Sequence, residues 1–132
     1  MTELIDRLEA AEEGSRELDA EIFCAIGGTV KEVTEVGGHK HKRWIDADGV
    51  RWQSDATLFS LSLDAALTLM PEGWDGHGFI HWPGRKDGVI INNAACTLHH
   101  NFSSGGGPRV TSYAATRALA VCAAALRARE AE

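Results

Sequence analysis

The tetrad Asp46-Ala47-Asp48-Gly49 constrains this chain more than any other feature. It lies between Arg43-Trp44-Ile45 and Val50-Arg51-Trp52, two short runs of β-branched, aromatic and charged residues. Asp-Gly accepts the positive φ of a tight hairpin turn, so the two runs must pair antiparallel. Trp44 and Trp52 then become cross-strand neighbours. Gly37-Gly38 marks another turn, after an imperfectly alternating strand that contains Val30, Val33 and Val36. Residues 78–82 and 89–92 flank Pro83-Gly84-Arg85-Lys86-Asp87-Gly88 and read as a second hairpin. Short strands are also expected at 57–59 and 95–102.

Helices bracket this β-rich middle. Leu4, Ile5, Leu8 and Ala11 fall on one face of a helix over 2–13, which Gly14 breaks. Ser15 caps a second helix over 16–26, with Leu18, Ile22, Ala25 and Ile26 on its apolar side, and Gly27-Gly28 ends it. Ser62 caps a short helix ended by Pro71 and Gly73. A last helix is expected from about 112 to 129, with Ala115, Leu119, Cys122 and Leu126 as its buried stripe. The prediction is a single α+β domain over 1–132: an antiparallel sheet with helices packed on it, like an α-β-α sandwich.

Charge restricts the partners. The 132 residues carry a net charge of −6, and residues 1–21 hold eight acids against two bases. The remaining 111 residues carry eleven of each, so no basic field exists to attract a nucleic acid polymer. A small anion in a local basic pocket remains compatible. No apolar run approaches the roughly 18 residues of a membrane span, and Met1-Thr2-Glu3-Leu4 lacks the basic start of a signal peptide. Cys24, Cys96 and Cys122 are odd in number and far apart, which suits core thiols in a reducing cytoplasm.

Two segments are candidates for binding. Ser103-Ser104-Gly105-Gly106-Gly107-Pro108-Arg109 precedes the expected last helix. Gly105, Gly106 and Gly107 would offer backbone N–H groups to a phosphate at a helix N-terminus, and Arg109 would add a forked contact. His39-Lys40-His41-Lys42-Arg43-Trp44 gathers cations beside an aromatic ring: Lys42 or Arg43 for phosphate, Trp44 for base stacking. His39 and His41 share one side of a strand, but an H-x-H pair lacks the further ligands zinc requires. No metal site and no cofactor are expected. Asp46 and Asp48 are read as turn chemistry rather than as a carboxylate pair. No nucleophile elbow, H-E-x-x-H or Cys–His arrangement points to an enzyme.

Three stretches together resemble the phage α-β-α (ABA) sandwich proteins. They are Leu4-Ile5-Asp6-Arg7-Leu8-Glu9-Ala10-Ala11-Glu12-Glu13-Gly14-Ser15-Arg16-Glu17-Leu18-Asp19, Ser62-Leu63-Asp64-Ala65-Ala66-Leu67-Thr68-Leu69-Met70-Pro71-Glu72-Gly73-Trp74 and Ala118-Leu119-Ala120-Val121-Cys122-Ala123-Ala124-Ala125-Leu126-Arg127-Ala128. They cover about a third of the chain. Thr116-Arg117 stands where the resemblance leads one to expect Thr-Pro. Some proteins of this kind look like Thoeris anti-defence sponges, which sequester cyclic nucleotide-like immune signals as homo-oligomers. The resemblance thus implies a non-enzymatic counter-defence protein in the host cytoplasm that binds a small nucleotide-like ligand. The alternatives are a protein-interaction or virion-accessory module that docks through its acidic helices, and a zinc-dependent hydrolase using His39 and His41. A homo-oligomer is expected, with the Ala-rich last helix and the four tryptophans supplying spare apolar surface.

Overall fold

The computed structural model describes residues 1–86, 89–100 and 107–131, with the backbone alone for 76–86 and 89–93. Helix α1 (Thr2–Ala10) buries Leu4, Ile5 and Leu8 as their spacing predicts. It stops short of residue 13, because Ala11 is already extended (φ −69°, ψ 139°). Gly14 allows the next turn of chain to press against Ser60; a Cβ there would stand 2.0 Å from the Ser60 carbonyl oxygen. Ser15 caps α2 (Arg16–Ala25) by accepting the Leu18 N–H.

Strands β1 (Thr29–Thr34), β2 (Lys40–Ile45) and β3 (Arg51–Trp52) form one antiparallel sheet in that order. Trp44 and Trp52 are direct register partners, as the Asp-Gly turn requires. Asp46 builds that turn by accepting N–H groups from Asp48 and Val50 at 2.9 Å each and the Trp52 indole at 2.9 Å. Chiefly the indole, then the Val50 amide, hold its carboxyl below the usual carboxylate range.

The chain then makes a 3-10 turn (Asp55–Thr57) where a strand at 57–59 was expected, and Phe59 joins the core as a loop residue. Ser62 caps α3 (Leu63–Leu67). The second hairpin is far longer than its turn residues suggest: β4 (Trp74–Lys86) pairs with β5 (Val89–His100) along its length. The expected strand at 95–102 is the continuation of β5. Strand β6 (Arg109–Ala114) pairs with Ala94–His99, giving a second three-stranded antiparallel sheet, β4-β5-β6.

That third strand corrects the expected start of the last helix. Residues 110–114 alternate, with Ser112 and Ala114 buried and Thr111 and Tyr113 exposed, which is a strand period rather than a helical one. Helix α4 (Arg117–Glu130) begins only after Thr116, whose hydroxyl accepts the Leu119 N–H at 3.2 Å. The cap forms without the proline. All residues from Ala118 to Leu126 are buried, because α4 packs on β5 and β6 and also on α1 and α3. Its alanines are therefore consumed inside the chain, and they do not supply the free oligomer face expected of them. Arg129 donates to the Leu69 carbonyl at 3.0 and 3.2 Å, and Arg127 bonds Ser112 and Glu9.

Helices and two antiparallel sheets thus make up an α+β fold. Ala94, Cys96, Leu98, Ser112 and Ala114 of the second sheet are buried on its α4 side. The first sheet is held to α2 by an aromatic cluster in which Phe23 meets Trp44 (5.3 Å between centroids), Trp52 (5.5 Å) and Phe59 (6.4 Å). Among the described residues no helix is long and apolar enough to cross a membrane.

Candidate functional site

Alternation along β2 separates the residues that the sequence placed together. Trp44 lies on the inner face, 4% exposed. One of its ring contacts is the edge of Phe23, and the Arg16 guanidinium stands 4.7 Å from its centroid. A base cannot stack on a ring so enclosed, so Trp44 is a core residue and not a stacking platform. Lys42 belongs to the same side of the strand as Trp44, beyond the packed region. It is exposed and opposite Glu32, which also ion-pairs with Lys40 at 3.6 Å.

The other face of the sheet is different. Arg43 shares it with Lys31, its direct cross-strand partner. Arg51 lies there too, since it opposes Ile45, two residues along from Arg43. Such opposed residues have Cβ atoms about 4.5–5.5 Å apart, and diagonal ones roughly 7–8 Å. Three cations therefore converge on one patch. Val33 and Ile45, each half-buried, supply apolar surface beside them, and His41 lies two residues from Arg43 with its Nδ1 3.6 Å from Glu35. Among the described residues, Lys31, Arg43 and Arg51 make no salt bridge. Arg43 Nε is shielded from solvent and has no hydrogen-bond partner among them.

Like charges placed directly opposite each other destabilise a sheet, and a shielded guanidinium N–H without an acceptor adds to that cost. An anion seated on this face would relieve both. The chemistry it can do is electrostatic binding; no described group beside it is poised as a nucleophile. Lys31 and Arg51 went unrecognised in the sequence, because only the register set by the Gly37-Gly38 turn brings them to Arg43.

The glycine-rich segment forms a different structure from the one expected. Gly105 and Gly106 lie outside the described residues. Gly107 has φ +135°, and a Cβ there would stand 2.2 Å from the His100 carbonyl oxygen. The segment closes a hairpin: the His100 N–H donates to the Pro108 carbonyl at 2.9 Å, and Arg109 opens β6 opposite His99. It leads into a strand and not a helix, so no helix dipole faces it. Arg109 remains exposed, far along the chain from the α4 N-terminus.

Other candidate chemistry is accounted for within the fold. Among the described residues no three His, Cys, Asp or Glu side chains are grouped to hold a metal ion. Burial pushes the Cys96 thiol up to about 12. Burial, then the Asp19 charge, push Cys122 up as well, so neither supplies a thiolate near neutral pH. The acidic N-terminal segment is partly internal. Asp19 is fully buried, accepting from Ser60 N–H (2.8 Å), Ser60 Oγ (2.6 Å) and Arg16 (2.8 Å). Glu21 pairs with Arg7 and Glu9 with Arg127. No family model, no curated protein and no solved structure matches the chain.

Proposed function

We propose that this chain is a non-catalytic binding protein that holds a small anionic, nucleotide-like ligand on the outer face of β1-β2-β3. The observation that carries the proposal is the cross-strand pair Lys31 and Arg43, with Arg51 diagonal to it and no acid paired with any of the three among the described residues. Three cations suit more than one phosphate oxygen cluster, and Arg43 adds a planar fork. Val33 and Ile45 offer apolar surface for the rest of a nucleotide. The net charge of −6 opposes a polymeric anion and favours a compact one. The resemblance to phage ABA sandwich proteins adds the biological setting, a phage counter-defence sponge acting in the host cytoplasm. Docking through acidic helices has less support, since Asp19, Glu9 and Glu21 are already engaged within the chain.

Calorimetric titration with inorganic pyrophosphate and with a cyclic nucleotide tests the reading. Arg43→Ala should weaken binding by about 1.5–3 kcal/mol, the worth of a charge-assisted hydrogen bond. Lys42→Ala, on the other face beside Glu32, should change it little. Absence of binding by both probes, or equal binding by the Arg43 variant, would overturn the proposal.

A further inference from the structure

The upper half of the second hairpin extends past its sheet. Strand β6 pairs with β5 only from Ala94 to His99, although β5 begins at Val89. It cannot follow further, because the chain leaves β6 at Ala114 to enter the Thr116 cap of α4. Residues 89–93 of β5 therefore pair with β4 on one side, and among the described residues nothing pairs with their other edge.

The two open edges of this sheet are unequally protected. The β4 edge carries a register shift between Gly76 and Gly78, then Pro83, which has no N–H, then Arg85 and Lys86. Bulges, proline and charge are the usual guards of an edge strand. The free β5 edge has none of these. Its sequence, Val89-Ile90-Ile91-Asn92-Asn93, opens with three β-branched apolar residues, which favour extended pairing.

We infer that Val89–Asn93 of one chain pairs antiparallel with Val89–Asn93 of a second copy, joining two β4-β5-β6 sheets into one of six strands. The occupant follows from geometry. A strand edge placed antiparallel to itself about a two-fold axis is self-complementary in its backbone donors and acceptors. The open stretch is bounded at Ala94 by β6 and at Val89 by the strand's own start, so the match in length is automatic. That register sets Ile91 opposite Ile91 of the second copy and Val89 opposite Asn93. This surface replaces α4 as the basis for an assembly, and it is independent of the basic face on the other sheet.

Register-specific crosslinking tests it in the full chain, with exposed Cys24 replaced by serine. Under mild oxidation, Ile91→Cys should give a disulfide-linked dimer on a non-reducing gel. Val89→Cys alone should not, since its two-fold mate is about 13 Å away along the strand at 3.3 Å per residue. Mixing Val89→Cys with Asn93→Cys chains should restore the crosslink. Light scattering of the unmodified chain should show twice the chain mass at high micromolar concentration, and Ile90→Lys/Asn92→Lys should reduce it to a monomer with unchanged circular dichroism. A monomer at all concentrations, equal crosslinking by the Ile91 and Val89 variants, or a dimer that survives the double lysine change would overturn the inference.

Discussion

Arg16 and Arg43 lie on opposite sides of the same tryptophan-bearing strand, and their surroundings contrast. Arg16 stands over the inner face of Trp44, bonds Asp19 at 2.8 Å and reaches the Thr57 carbonyl (3.1 Å) and hydroxyl (3.0 Å). Every element of that network ties α2 to the segment before α3. Arg43, on the outer face, meets another cation across the strand and no acid. The first arrangement stabilises a fold. The second carries a cost that only a bound anion would relieve, and this separates a structural charge from one held for a ligand.

The contrast can be broken in both directions. The largest effect is expected at Asp19. Asp19→Ala would leave the Ser60 donors and Arg16 without their buried acceptor, and should cost about 3 kcal/mol, near the low end for a broken buried pair because Arg16 is partly exposed. Denaturant unfolding would measure it, and a loss under 1 kcal/mol would refute the structural role given to the network. A smaller change of opposite sign is expected at Lys31. Lys31→Glu converts a like-charge cross-strand pair into an ion pair, and should raise stability by about 0.2–1 kcal/mol while abolishing pyrophosphate binding. Lower stability would show that the outer face is not under electrostatic strain. The smallest effect is expected at Arg109. With no helix N-terminus behind it, Arg109→Ala should leave both unfolding and pyrophosphate affinity unchanged within error; a tenfold weaker affinity would return the glycine-rich hairpin to the site.

Much of the fold was legible because local rules decided it. Ser15 and Ser62 cap the helices they precede, and Asp46-Ala47-Asp48-Gly49 makes the turn its residues demand. The candidate site was legible in part. Arg43 was visible as a cation in a basic run, but Lys42 and Trp44 were grouped with it although a strand sends alternate side chains to opposite faces. The Gly105–Gly107 segment was placed before a helix because Ser112 to Ala115 are compatible with helix as well as strand. Pairing with β5 settled that ambiguity, and no local signal encodes it.

The sequence by itself determined the α+β class, the antiparallel sense of the strands and the acidic bias of the N-terminal segment. These depend on turn chemistry, periodicity and charge, which are properties of neighbours along the chain. Only the tertiary structure decided that α4 is enclosed on all sides, that Asp19 is an interior anchor, and that Lys31, Arg43 and Arg51 share a face. Each of these depends on which residues meet across large separations in sequence. Register and burial are fixed by cooperative packing of the whole domain, so a stretch read in isolation carries no record of them.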